Sequence, residues 1–139
     1  HAALVRARVA GIPAVLALSC DMPLMHAGML RRLVAAFAAS PRQALTTAFM
    51  APNGWTESLV AIYRVEALSF LEAAVAQGHL KMREAVPLER QCFEPYGTED
   101  ARAFFNVNTP QDLQEATSAL DDLMGQETDG KFAEIPDRA

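Results

Sequence analysis

Apolar residues fall along this chain in short near-continuous runs that alternate with longer stripes at helical spacing. Ala14-Val15-Leu16-Ala17-Leu18-Ser19 lies between Gly11-Ile12-Pro13 and Asp21-Met22-Pro23. An apolar run bounded by turn signals predicts a strand buried on both faces of a parallel sheet. Upstream, residues 2–10 read as the tail of a helix that Gly11 ends and Pro13 keeps from returning. Downstream, Met29, Leu30, Leu33, Val34 and Phe37 share one face of a helix over residues 26–39, with Arg31 and Arg32 opposite. Two more strands are predicted at residues 44–49 and 59–63, with the turn Ala51-Pro52-Asn53-Gly54 between them. A helix with Leu68, Leu71 and Val75 on one side follows and closes at Gly78.

Residues 79–98 carry a mixed pattern, with a short helix near 82–86 and a strand near 91–93. Ala103-Phe104-Phe105 reads as one more short strand. The last helix is the best marked. Thr109 is an N-cap residue, Pro110 suits the first helical position, and Asp112 completes a T-x-x-D capping pattern. Its apolar stripe is Leu113, Ala116, Leu120 and Leu123. From Gly125 the composition turns polar, so residues 1–124 are expected to form one domain and 125–139 a loose tail. Strands alternating with helices predict an α/β sheet covered on both faces.

At 139 residues the chain is long enough to bury a real core, and with 51% hydrophobic and 21% charged residues it is not disordered throughout. The formal net charge of −5 argues against broad nucleic-acid binding, which needs a basic face. An anionic substrate would therefore need a metal or a few local cations. Cys20 and Cys92 make no zinc pattern, and Cys20 in its apolar run reads as a small buried thiol, in keeping with a reducing cytoplasm. No apolar run reaches membrane-spanning length, and no signal peptide is evident.

Three places have candidate chemistry. Asp21 follows directly on a predicted buried strand, and ligands of open α/β sheets bind beyond the carboxyl ends of strands. A carboxylate there suits Mg²⁺ held against a phosphate, the alternative being a turn Asp that caps the next segment. In Asn106-Val107-Asn108-Thr109-Pro110, alternation puts both Asn side chains on one side of an extended segment. Their carbonyl oxygens suit a hard cation or a sugar hydroxyl, or else they only shape the entry to the capped helix. Lys81 and Arg83, with Arg64, form a loose basic group that suits a phosphate or simply faces water. His26 and His79 read as helix-end or surface residues, and Trp55 beside Gly54 as a loop residue covering the core or stacking on a ring. No glycine-rich phosphate loop occurs among the 7 scattered glycines.

In order, these pieces resemble the molybdenum cofactor guanylyltransferase (MobA-like) family. The resemblance rests on Leu18-Ser19-Cys20-Asp21-Met22-Pro23-Leu24, Leu30-Arg31-Arg32-Leu33, Leu59-Val60-Ala61-Ile62-Tyr63-Arg64, and Phe104-Phe105-Asn106-Val107-Asn108-Thr109-Pro110-Gln111-Asp112-Leu113. It implies a Rossmann-like nucleotidyltransferase fold, a three-layer sandwich with a mostly parallel sheet. It also implies transfer of GMP from GTP to molybdopterin with release of pyrophosphate, as a step of molybdenum cofactor biosynthesis in the cytoplasm. By resemblance Asp21 binds Mg²⁺, Asn106 and Asn108 line the catalytic site, and Lys81 and Arg83 contact a pterin phosphate. A molybdoenzyme chaperone is a further candidate partner.

Two departures stand out. The family opens with a glycine-rich loop that holds the nucleotide phosphates, and nothing like it is present, so the N-terminal part of the fold is expected to be missing and the chain alone to transfer little or nothing. The sheet is then expected to have an open edge that invites a dimer. Glu57-Ser58 stands where a Pro often precedes the Leu-Val-Ala strand. The alternatives are CMP transfer from CTP by the sister cytidylyltransferases, which tend to carry Asp where this chain has Asn106 and Asn108, a non-catalytic module that binds a pterin or chaperone, and an ordinary α/β domain whose motifs serve only structure.

Overall fold

The computed structural model describes residues 1–79 and 81–128. Four strands form one sheet in the order β1-β3-β2-β4: β1 (Ala14–Leu18), β2 (Thr46–Met50), β3 (Thr56–Arg64) and β4 (Gln91–Pro95). β3 pairs antiparallel with β1 and with β2, whereas β2 and β4 pair in parallel. The sheet is thus mixed: β1, β2 and β4 point one way and β3 alone points the other. A short connection imposes this reversal. Ala51 N–H donates to the Trp55 carbonyl at 2.8 Å, and Gly54 at φ +81° takes a backbone conformation that side-chain-bearing residues avoid. A loop this tight joins only antiparallel neighbours.

Among the described residues five α-helices flank the sheet: α1 (Ala2–Val9), α2 (Ala27–Ala39), α3 (Leu68–Ala76), α4 (Met82–Ala85) and α5 (Pro110–Thr128). On one face Leu4 of α1 and Leu68 and Leu71 of α3 pack with Ala48, Ala61 and Tyr63. On the other face Met29 and Leu33 of α2 pack with Phe49, Val60, Ile62, Tyr96 and Phe104. Alternate residues of β3 feed the two cores, Ala61 and Tyr63 one and Val60 and Ile62 the other. The result is a helix–sheet–helix sandwich.

Several expectations change. The strand buried on both faces is β2, which lies between two others, not β1. β1 is an edge strand, with Leu16 38% and Leu18 48% exposed. Cys20 is exposed because it lies in the turn beyond the end of β1. Residues 103–105 are not a strand: a 3-10 turn over Ala101–Phe104 buries the consecutive Ala103 and Phe104 together, which alternation along a strand would not do. Val34 and Val75, assigned to apolar faces, are at least half exposed. Arg32 does not simply face water. It donates to Glu94, Asp100 and the Pro95 carbonyl, tying α2 to the end of β4.

Over residues 110–122 of α5 the buried positions are Ala116 and Ala119, Leu113 and Leu120 lie exposed beside them, and the Leu123 side chain lies outside those described. The helix runs on through Gly125 to Thr128, and residues 129–139 lie outside the described residues. Among the described residues no helix is long and apolar enough to cross a membrane.

Candidate active site

β1 ends at Leu18, and the chain turns through Ser19 and Cys20 to present Asp21 beyond the carboxyl end of the strand. The Ser19 hydroxyl donates to Asp21 Oδ1 and orients the carboxylate. The Asp21 carbonyl accepts a hydrogen bond from Val107 N–H at 2.8 Å. That bond fastens the segment of Asn106 and Asn108 against the turn after β1. Both Asn residues and Asp21 line one cleft of about 190 Å³, with Met22 and residues 55–59 as the opposite wall.

Chain direction explains the gathering. β1, β2 and β4 all deliver their carboxyl ends to this side of the sheet, and antiparallel β3 begins there. This is the location at which open α/β sheets bind ligands.

Asn108 is held from the other direction by the start of α5. Asn108 N–H and Thr109 N–H donate to Asp112 Oδ2 at 2.9 and 2.8 Å, and Asp112 N–H donates to Thr109 Oγ1 at 3.2 Å. This is the reciprocal cap expected from T-x-x-D. The two amide donors and the Thr109 hydroxyl hold the Asp112 carboxyl below its ordinary range. Asn106 and Asn108 remain exposed, with their side chains available to a ligand.

The opposite wall contains groups that the motifs did not reveal. Glu57 accepts a hydrogen bond from the Tyr96 hydroxyl at 2.8 Å. Burial pushes the Glu57 carboxyl up, and the Tyr96 bond only partly offsets this. Burial, together with the Glu57 partner, also pushes the Tyr96 phenol far up. Tyr96 stacks on Phe104 at 4.3 Å between ring centroids, and Phe104 meets Phe49 edge-on at 5.3 Å. A packed aromatic cluster therefore fixes the carboxylate.

Strict alternation back from Val60 and Ile62 would put Ser58, not Glu57, on this face. β3 is irregular here: Ala48 and Met50 are two residues apart on β2, while their partners Ala61 and Thr56 are five apart on β3. The excess residues bend the strand and re-aim its side chains. Local sequence contains no reliable signal of that shift.

Lys81 and Arg83 do not line this cleft. They line an adjoining depression of about 290 Å³ that shares Trp55 and Ser58 with it. The Arg83 guanidinium lies over the Trp55 ring at 4.3 Å, and Trp55 is 53% exposed, so it does not cover the core. Glu84 contacts both cations, at 3.4 Å from Lys81 and 3.5 Å from Arg83. Arg64 does not join them. It donates to the Ala44 carbonyl at 2.9 Å and lies over the Phe37 ring at 4.4 Å.

The donor set of the main cleft is oxygen-rich and hard: the Asp21 carboxylate and the amides of Asn106 and Asn108. Among the described residues no group of three or more His, Cys, Asp or Glu could form a cage around a metal. Such a set fits Mg²⁺, which is usually held by one or two carboxylates together with substrate phosphates and water.

Comparison with known proteins identifies the family. A family model described as the MobA-like NTP transferase domain matches residues 1–91, a stretch that includes Asp21 and ends before Asn106. A Pyrococcus furiosus protein named as a probable molybdenum cofactor guanylyltransferase is 30% identical over 97 residues, 68% of this chain and 48% of that protein. The solved structure of molybdopterin-guanine dinucleotide biosynthesis protein A from Archaeoglobus fulgidus superposes with a TM-score of 0.59 at 25% identity, over 85% of this chain and 61% of that one. An Aquifex aeolicus protein shares the fold, with a TM-score of 0.60 at 17% identity over 77% of this chain and 54% of its own. The chain thus spans about half to three fifths of the length of these relatives. With strand ends, turn carboxylate and family model in agreement over most of its length, the chain belongs to the MobA-like NTP transferase family of nucleotidyltransferases.

Proposed function

We propose that this chain supplies the catalytic half of a guanylyltransferase acting on molybdopterin. The terminal phosphate oxygen of molybdopterin attacks the α-phosphorus of GTP, the bond to the β-phosphate breaks, and pyrophosphate leaves. The observation that carries this reading is the shared cleft of Asp21, Asn106 and Asn108, joined through the bond from Val107 N–H to the Asp21 carbonyl. Asp21, oriented by Ser19, would hold Mg²⁺. When bound, the cation neutralises charge on the phosphates and polarises the phosphorus. The residues of the chain do the positioning: Asn106 and Asn108 offer amide groups to the reacting phosphate and sugar oxygens, and the backbone bond at Val107 keeps them at a set distance from the carboxylate. Lys81 and Arg83 line the depression on the other side of Trp55 and would attract the pterin phosphate on its way to the cleft.

Guanylyl transfer is favoured over cytidylyl transfer by the amides at positions 106 and 108 and by the names of the relatives. Free Cys20 and Cys92 and the absence of a membrane-length helix among the described residues suit work in the cytoplasm. The test is GMP transfer from labelled GTP to molybdopterin by the gene product that contains this chain. Asp21→Ala is expected to lower turnover at least a hundredfold and CTP to be a poor donor. Unchanged turnover in Asp21→Ala would end the assignment. The chain by itself is expected to show little or no transfer.

A further inference from the structure

Trp55 and Glu57 have no place in the phosphate chemistry just described, yet both line its cleft. Trp55 is the only tryptophan of the chain, more than half exposed, and stands between the carboxylate–amide cleft and the depression of Lys81 and Arg83. Glu57 is half-buried in the same wall and is fixed by the Tyr96 hydroxyl at 2.8 Å. Among the described residues no other donor bonds this carboxylate, so acceptor capacity is left over.

A half-buried carboxylate with spare acceptor capacity suits a ligand donor, because an underpaired charge in a partly desolvated wall is costly. The exposed indole beside it has the Arg83 guanidinium over one face at 4.3 Å, which leaves the opposite face for a flat ring. Together they match a planar fused ring whose edge presents an exocyclic amino group next to a ring N–H, since a carboxylate accepts such a donor pair in two parallel bonds. We propose that Trp55 and Glu57 form a ring-reading seat for a 2-amino-4-oxo fused heterocycle, with Trp55 supplying the face and Glu57 the edge. This inference rests on the transferase reading for the choice of ring, because guanine and pterin share that edge. The seat itself rests on the two side chains. Its position suits the pterin, because Trp55 stands between the cations that would attract the pterin phosphate and the cleft in which that phosphate reacts.

The experiment is calorimetric titration of the chain with 6-hydroxymethylpterin, guanosine and 6-hydroxymethyllumazine. The lumazine keeps the ring but replaces the amino group by an oxo group. The pterin is expected to bind at least tenfold more tightly than the lumazine. Tighter binding of the pterin than of guanosine assigns the seat to the second substrate, and the reverse assigns it to the nucleotide base. Glu57→Gln is expected to remove the discrimination between pterin and lumazine while leaving lumazine affinity within about threefold. Trp55→Leu is expected to weaken both at least tenfold, and Trp55→Phe, which keeps an aromatic face, to recover most of the loss. Circular dichroism of each variant separates lost binding from lost fold. Equal affinity for pterin and lumazine, or full pterin affinity in Trp55→Leu, overturns the seat. Failure of the transfer assay in the gene product that contains this chain, with ring discrimination intact, would strike the transferase reading alone.

Discussion

Removing the Arg32 side chain tests how the site is anchored. Arg32 donates from Nε to Glu94 at 3.1 Å, from Nη1 to Asp100 at 2.6 Å and from Nη2 to the Pro95 carbonyl at 2.7 Å. Its guanidinium also lies 5.6 Å from the centre of the Phe49 ring. One side chain on α2 thus clamps the last residues of β4, from which Tyr96 reaches Glu57, and the turn that leads through Phe104 to Asn106. The Asp100 bond is the main reason the guanidinium is held above its ordinary pKa.

In a dry interior each charge-assisted bond contributes roughly 1.5–3 kcal/mol. The Arg32 side chain is 39% exposed, and solvent-screened pairs contribute only about 0.2–1 kcal/mol. With about 0.7 kcal/mol for each of the three bonds, Arg32→Ala is expected to cost about 2 kcal/mol. For a chain of this size that corresponds to a drop of roughly 6–8 °C in Tm. Thermal unfolding followed by circular dichroism measures it. Arg32→Lys, which keeps the charge but not the three-way fork, is expected to recover less than half. A double-mutant cycle with Asp100→Asn isolates the shortest bond. An Arg32→Ala variant that melts within about 2 °C of the parent would refute the clamp, since the loss would then be no larger than that of an ordinary surface pair.

Five further outcomes follow from the same structure. Thr109→Ala is expected to cost about 1 kcal/mol through the lost cap. Because the Asp112 carboxyl is held low, its contribution to folding is present above the ordinary carboxylate range and fades as pH falls through that range, which Asp112→Asn should flatten in a series of melts. Glu57 has the opposite sign: its carboxyl is held high, so the unfolded chain ionises first as pH rises and stability is lost across that window. Glu57→Gln, which still accepts from Tyr96, should therefore gain in Tm relative to the parent between acidic and neutral pH, and a constant difference would contradict the burial argument. Both tyrosines of the chain are shifted upward, Tyr63 to about 12 by burial, so phenolate absorbance should stay low through pH 11 and rise only with unfolding. The open edge of β1, with Leu16 and Leu18 exposed, is expected to promote self-association that Leu16→Lys abolishes, as read by sedimentation velocity.

Local order along the chain was sufficient for much of this molecule. The apolar run at residues 14–18, the helical stripe around Met29 and Leu33, and the Thr109-Pro110-Gln111-Asp112 start of α5 depend on interactions within a few residues, so their pattern is present in the sequence and the structure reproduces it. The positions of Asp21 after a strand and of Asn106 and Asn108 before a capped helix were readable for the same reason. What lay beyond the sequence depends on partners distant along the chain. Strand order made β1 an edge and β2 the buried strand, although β1 is the more apolar of the two. The pull of a shared core turned residues 101–104 into a 3-10 turn. The irregular pairing of β3 with β2 carried Glu57 to the side of Tyr96, thirty-nine residues away. Periodicity reports which residues avoid water, but not which neighbour excludes it, and here that neighbour decided the second wall of the cleft.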